Sequence, residues 1–237
     1  MAEVTEEKQT TGTGIDVQEK LDRAELFIDK NKKQVAIVAG IVLALIGGVI
    51  AYKMWWLPKQ NDEAQAQLFM AQSYFEKDSL NLAINGGTVP GSTVTVTGLT
   101  EIAENYGGTK AGNMAEYMIG TALLQQGKFD EAIEHLNNFD SDDIVLSAVA
   151  VGAIGDANLE LGKTDEAIKF YMKAADKNTN SFTTPLFLKK AGMAYEGQNN
   201  YAEALKVYER IKKEYTKSTE GREIEKYIAR AKTAGNL

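Results

Sequence analysis

The sequence predicts an all-α protein. A single transmembrane helix near the N-terminus is followed by an α-solenoid of about four helical hairpins, closed by a C-terminal capping helix. Three observations carry this expectation. Gly120, Gly155 and Gly192 stand 35 and 37 residues apart in copies of one pattern, and a period of that length marks stacked hairpins rather than one closed core. Residues 35–52 form an 18-residue run without a charge. Near the C-terminus, Ile224, Tyr227, Ile228 and Ala231 recur at helical spacing with charges between them, the pattern of a one-faced terminal helix.

Taken in order, residues 1–14 (MAEVTEEKQTTGTG) are polar and rich in Gly and Thr, too poor in apolar side chains to fold alone, and predict a disordered cytoplasmic tail. Residues 15–33 predict a juxtamembrane amphipathic helix. Val17, Leu21, Ala24 and Ile28 share one face, which suits the inner membrane surface or a partner. Its acidic residues Asp16, Glu19, Asp22, Glu25 and Asp29 weaken a purely lipid-driven contact.

The transmembrane helix is placed at 34–57. At ~1.5 Å per residue the uncharged run is about 27 Å long, close to the hydrocarbon thickness. Tyr52, Trp55 and Trp56 supply an aromatic belt at one interface, and Pro58 is expected to end the helix. The long mixed-charge segment ahead of the run, and the lack of a small-residue cleavage site after it, favour a retained anchor over a cleaved signal. Lys20, Arg23, Lys30, Lys32 and Lys33 precede the run, against Lys53 and Lys59 after it. That excess keeps the N-terminus cytoplasmic and sends the repeats across the membrane. Ala36, Gly40, Ala44 and Gly48 recur every four residues. Such a stripe is either ordinary span composition or a helix-packing face for a membrane partner or a second copy of the chain.

The solenoid is assigned to 60–237. Its three clear copies read NMAEYMIGTALLQQGKFDEAIEHLNNF from Asn113, AVAVGAIGDANLELGKTDEAIKFYMKA from Ala148 and PLFLKKAGMAYEGQNNYAEALKVYERI from Pro185. In each, the glycine is followed by an alanine (Ala122, Ala157, Ala194), a turn residue (Gly127, Gly162, Asn199), a second alanine (Ala132, Ala167, Ala204) and a large residue (Leu136, Tyr171, Tyr208). Small residues admit close helix approach, and the turn residues tolerate left-handed backbone. A degenerate copy precedes these, with Ala71, Tyr74 and Ala83 in register. It is interrupted at 86–98 (GGTVPGSTVTVTG), a Gly- and Thr-rich insertion loop with a Val-Thr alternation. The insertion is either solvated surface or a partner contact. Beyond it Tyr106 takes the place that Tyr215 holds at the end of the third copy. A capping helix at about 219–233 covers the last hairpin, as solenoids require.

The pattern resembles the tetratricopeptide repeat over roughly residues 64–231. The resemblance implies a groove lined by the first helices. The positions that face it map to Leu68, Gln72 and Phe75; to Tyr117, Thr121 and Leu124; to Gly152, Asp156 and Leu159; and to Lys189, Met193 and Glu196. This mixed surface suits extended or partly unfolded protein segments. A carboxylate clamp is disfavoured, because Asp156 and Glu196 would repel an acidic tail.

Composition narrows the chemistry. The chain has no cysteine and one histidine, His135, so thiol chemistry is absent, and the histidine has no sequence partners for a metal site or proton shuttle. Gly86-Gly87 and Gly107-Gly108 lack the phosphate-loop spacing. The expectation is therefore no enzyme, no cofactor and no metal. Residues 60–160 carry 3 Lys+Arg against 15 Asp+Glu, and residues 161–237 carry 15 against 10. The first half should be repelled by anionic lipid headgroups and nucleic acid, which leaves proteins as partners and excludes nucleic acid.

A cytoplasmic tail, one anchor and an extracytoplasmic stack of such repeats resembles the ancillary (YfgM-like) subunit family of the bacterial Sec translocon. The segments FMAQSYFEKDS, YGGTKAGN and FTTPLFLKKAGMAYE resemble membrane-anchored repeat proteins of Bacteroidetes-type bacteria. This resemblance implies an inner-membrane location with a periplasmic repeat domain. It also implies partners among translocon subunits, periplasmic chaperones and precursor polypeptides. The alternative is a structural scaffold for envelope assembly or another secretion machinery, including a self-associating one.

Overall fold

The computed structural model describes residues 13–237, with side chains from Glu19 onward. Residues 1–12 of the expected polar tail lie outside the described residues, while Thr13 and Gly14 already belong to a helix. The chain divides into two compact units, Met1–Trp56 and Leu57–Leu237.

The first unit holds α1 (Thr13–Lys30), α2 (Lys32–Ala51) and a π-helical turn, Tyr52–Trp56. Asn31 separates the helices with φ −119° and ψ 27°. Its N–H still donates to the Phe27 and Ile28 carbonyls, and its carbonyl accepts from Val35 N–H at 3.0 Å. No residue of α2 is buried, and among the described residues only the helix containing it is long and apolar enough to cross a membrane. A Cβ added at Gly40, Gly47 or Gly48 would meet nothing within 4 Å. Pro58 does not end this helix. Helical structure runs without a break from Lys32 to Phe75, and the π-helical turn Tyr52–Trp56 lies just ahead of Pro58, the local adjustment by which a helix accommodates a missing N–H.

The second unit is a stack of hairpins. Its first pairs α3 (Leu57–Phe75) with α4 (Leu80–Asn85) and α5 (Leu99–Tyr106); then follow α6 (Lys110–Gln125) with α7 (Phe129–Asn138), α8 (Ile144–Glu160) with α9 (Thr164–Lys177), and α10 (Thr183–Gly197) with α11 (Tyr201–Glu214). The last helix, α12 (Thr219–Gly235), packs on α11.

Every hairpin turns in the same way. Asp78, Gly127, Gly162 and Asn199 have φ of 58°, 74°, 72° and 59°. The residue after each donates its N–H back to a carbonyl of the first helix, at Tyr74, Leu123, Asn158 and Tyr195. These are helix C-terminal motifs built on one left-handed residue, and Asp78 marks the degenerate copy as a fourth repeat.

Inside each hairpin a glycine accepts a large residue. A Cβ at Gly120 would lie 2.6 Å from Leu136 Cγ, at Gly155 2.7 Å from Tyr171 Cδ1, and at Gly192 2.2 Å from Tyr208 Cε1. Ala83, Ala132, Ala167 and Ala204 are all fully buried, which lets the second helix lie close. Tyr171 and Tyr208 are the bulkiest wholly buried side chains. At ~25 cal/mol per Å² of apolar area they contribute several kcal/mol each to the stack.

The insertion is a small hairpin. β1 (Gly87–Thr88) pairs antiparallel with β2 (Thr95–Val96), Gly87 opposite Val96 and Thr88 opposite Thr95. Pro90 and Gly91, with φ +76° at Gly91, fill the central positions of a turn closed by Ser92 N–H donating to Val89 O at 3.0 Å, the residues a type II turn demands. Val96 is buried and pins the hairpin to the stack. A Cβ at Gly98 would lie 2.5 Å from the Gly86 nitrogen, so the insertion's two ends touch. Beyond them α5 takes up the interrupted second helix, and buried Leu99 falls where Tyr208 falls in the last repeat, seven residues before Tyr106 as Tyr208 is before Tyr215.

Tyr106 and Tyr215 then introduce the same cap. Thr109 Oγ1 accepts from Gly112 N–H at 3.0 Å and donates to Tyr106 O at 2.8 Å. Ser218 Oγ accepts from Gly221 N–H at 2.9 Å and donates to Tyr215 O at 2.8 Å. Both are hydroxyl N-caps. On α12, Ile224, Ile228 and Ala231 are buried, and the Tyr227 ring lies 5.5 Å from that of Tyr208.

Candidate protein-binding groove

Helices α6, α8 and α10 present two adjoining open depressions. The first, about 490 Å³, is lined by Leu124, Gln125, Gly127, Phe129, Asp156, Leu159 and Glu160. The second, about 430 Å³, is lined by Asp156, Leu159, Thr164, Lys190, Met193, Ala194 and Gly197. Asp156 and Leu159 belong to both and form the ridge between them. Leu159 and Met193 are 40% and 47% exposed, so apolar contact area stands open without being spent on the core.

The ridge is held by a polar cluster. Lys190 Nζ donates to both Asp156 oxygens at 2.7 and 2.8 Å, and the Tyr171 hydroxyl donates to Asp156 Oδ1 at 2.7 Å. Burial and then this hydrogen bond push the Tyr171 hydroxyl far above its ordinary pKa. The next repeat repeats the device. The Tyr208 hydroxyl donates to Glu196 Oε2 at 3.2 Å, and Arg230 Nε donates to Glu196 Oε1 at 3.1 Å. Tyr208 is pushed up by burial and by Glu196, and the Glu196 hydrogen bond raises Arg230.

These contacts change how the groove's charge is read. Asp156 and Glu196 are each paired with a cation, so they do not present the bare negative charge that disfavoured an acidic ligand. Lys189, the cation expected in the groove, instead lies 5.8 Å from the Tyr227 ring of α12. Its neighbour Lys190 lines the second depression.

The other expected positions divide by depth. Gly152 is buried beneath Phe187, and Leu68 is buried in the first hairpin. Phe75 is half-buried and Gln72 exposed, donating to Glu76 at 2.9 Å. Tyr117 is half-buried with its ring 5.1 Å from that of Phe139, and burial raises its hydroxyl pKa. Thr121 donates to the Met118 carbonyl at 3.0 Å. Leu124, Asp156, Leu159 and Met193 come together at the depressions, while Glu196 faces Arg230. Ala36, Gly40, Ala44 and Gly48 are exposed along α2. His135 Nδ1 lies 2.6 Å from Glu116, tying α7 to α6.

Lys190 carries a signal in its spacing from Asp156. It stands 34 residues after Asp156, as Arg230 does after Glu196 and Arg210 after Asp176, and Lys163 stands 33 after Asp130. In these four the acid comes first and the base lies on the next hairpin or on α12, whereas Lys212 of α11 reaches Glu225 of α12 in the opposite sense at 2.7 Å. Individually such exposed pairs contribute ~0–1 kcal/mol. Together they fix register along the stack, and they account for part of the acidic-to-basic gradient along the chain.

Residues 117–182 and 189–218 each match a tetratricopeptide repeat family. The structure is similar to the TPR-like repeats of a kinesin light chain from Podosopora anserina, with TM-score 0.53, 14% identity, and 74% of this chain and 88% of that chain covered. It is also similar to the MamA protein, with TM-score 0.51, 17% identity, and coverage of 73% and 92%. No curated protein matches the chain in sequence. The fold is thus all-α and tetratricopeptide-like, a scaffold that supports protein–protein interaction.

Proposed function

We propose that this chain is a single-pass inner-membrane protein whose periplasmic hairpin stack serves as an accessory subunit of the Sec translocon, holding periplasmic chaperones or emerging polypeptides near it. The observation that carries the reading is the pairing of two features in one chain. One is α2, apolar along its length and with no buried residue. The other is a repeat groove whose apolar residues Leu159 and Met193 stay open. An apolar helix of this kind finds its solvent in a bilayer. The basic residues ahead of it favour a cytoplasmic N-terminus.

In this reading Ala36, Gly40, Ala44 and Gly48 form the face that packs on a translocon helix. Leu124, Asp156, Leu159 and Met193, with Lys190 added, receive the segment, and Leu68, Phe75, Tyr117 and Thr121 extend the surface toward the first hairpin. Lys189 and Glu196 serve the junction with α12 more than the ligand. The choice of the Sec machinery rests on the sequence resemblance described above.

Photocrosslinking amino acids at Gly40, Tyr117 and Leu159 in cells, read by mass spectrometry, test it. Translocon subunits captured from Gly40, and chaperones or precursors from the other two, are the expected products. Capture of only envelope-assembly proteins would replace the translocon reading with the scaffold one. Single cysteines at Thr13 and Thr93 should be labelled from opposite sides of the membrane; labelling from one side overturns the anchor.

A further inference from the structure

The two depressions of the groove differ in charge. In the second, the charged lining is Asp156 and Lys190, and these neutralise each other through contacts of 2.7 and 2.8 Å. What stays open there is apolar, from Leu159 and Met193. The first depression shares Asp156 and Leu159 and adds Leu124, Phe129 and a second carboxylate, Glu160. Glu160 is exposed and, among the described residues, makes no hydrogen bond or ion pair. Lys128 stands on the turn between the lining residues Gly127 and Phe129 without being part of the lining. The first depression therefore joins apolar walls to one uncompensated negative charge.

That combination selects a kind of side chain. An aliphatic residue there would cover the walls and strip water from the Glu160 carboxylate without replacing its hydrogen bonds, and an acidic residue would be repelled. Lys or Arg lays its methylene stem along apolar surface and keeps its charged head at the rim, where Glu160 accepts. The second depression, with its charges already paired, takes an aliphatic side chain. The acidic balance of residues 60–160, 3 Lys+Arg against 15 Asp+Glu, also draws a basic segment toward this half of the stack.

Helix spacing sets the distance between the two side chains. The depressions follow one another along α6, α8 and α10, and packed helices stand about 8–10 Å apart. A polyproline II segment has three residues per turn at ~3.1 Å each, so residues three apart share one side and lie about 9 Å apart.

We propose that the groove receives a polyproline II segment with a Lys or Arg against Leu124, Phe129 and Glu160, and an aliphatic residue three positions away against Leu159 and Met193. The inference rests on the groove reading above and names the class of segment that the groove takes.

Dye-labelled octapeptides test it, with a neutral dye, full-length chain in nonionic detergent and fluorescence anisotropy as the readout. The probes are Gly-Gly-Arg-Ala-Ala-Leu-Gly-Gly and the reverse order Gly-Gly-Leu-Ala-Ala-Arg-Gly-Gly, each also made with Gln or Glu in place of Arg. One order should bind, its Gln form about two- to fivefold more weakly, the effect of one exposed ion pair, and its Glu form more weakly still. Glu160→Lys should reverse the ranking, so that the Glu peptide binds better than the Arg peptide; a merely structural role for Glu160 would weaken all forms alike. Leu159→Ser combined with Met193→Ser should weaken every form. Arg and Glu forms that bind equally, or a ranking that Glu160→Lys does not reverse, overturn the basic-aliphatic class and leave the groove standing. Failure of both orders to bind at millimolar peptide also overturns the class, and the groove is then judged by the crosslinks from Tyr117 and Leu159. Binding that the double serine variant does not weaken overturns the groove and this class with it.

Discussion

The Phe187 ring occupies the space that a side chain at Gly152 would need: a Cβ on Gly152 would stand 1.9 Å from Phe187 Cε1. Gly152 is on α8 and Phe187 on α10, so this contact joins two hairpins, and Phe187 is buried there.

Gly152→Ala therefore overpacks a hairpin junction and should destabilise the stack by about 1–3 kcal/mol. Thermal melting of the full-length chain in detergent, followed by circular dichroism, should show a lower midpoint. Adding Phe187→Leu should recover part of the loss; a neutral Gly152→Ala would show that the junction yields without cost.

Alkaline stability should depend on two tyrosines. Burial and the Asp156 and Glu196 hydrogen bonds raise the folded pKa of Tyr171 and Tyr208 above the ordinary value of 10.0. Their contribution is complete below that value. It is lost as pH rises beyond it, because the unfolded phenols ionise while the folded ones hold their protons. Urea midpoints measured from pH 8 to 11 should fall along the upper part of that range. Tyr171→Phe and Tyr208→Phe should each flatten the fall, and an unchanged slope would assign the alkaline loss elsewhere.

The terminal cap should loosen on its own. A Cβ at Gly221 would lie 2.0 Å from the Tyr215 carbonyl oxygen, and Ser218 caps α12 through its hydroxyl. Gly221→Ala, and Ser218→Ala with a cost of ~1 kcal/mol, should speed amide exchange across α12 and α11 while α6 and α7 keep their protection. Uniform acceleration through the whole stack would mean that α12 does not open separately.

Groove substitutions should separate binding from folding. Leu159 and Met193 stand open, so Leu159→Glu and Met193→Glu should shift stability by no more than about 0.5 kcal/mol. Both should remove the crosslinks formed from Tyr117. Retained crosslinks in a folded double variant would place the partner on another surface.

Much of this architecture was legible because the repeat writes the same contact several times. Gly120, Gly155 and Gly192 announced the notches, and Gly127, Gly162 and Asn199 the turns. Asp78 does not announce a turn, because aspartate adopts left-handed backbone far less often than glycine, yet it closes the first hairpin in the same way. The groove was less legible. Repeat position says which helix face a residue shares but not what covers it, so Gly152 maps to the open groove although Phe187 lies over it. Lys189 and Lys190 differ by 100° around the helix, and only the partner one repeat earlier, Asp156, decides which of them enters the groove. Pro58 reads as a stop because proline lacks the helical N–H, whereas the π-helical turn ahead of it carries the helix through.

Gly86 and Gly98 bring the two ends of the 86–98 hairpin into contact, and α5 resumes the helix that α4 leaves. The solenoid therefore does not measure the length of what is threaded between them. Replacing the tip around Pro90 and Gly91 with a longer sequence adds only the entropy of a larger loop, ~0.6 kcal/mol for each doubling. The position is a socket, where an epitope, a reporter or a whole small domain can be grafted without disturbing the register of the repeats on either side.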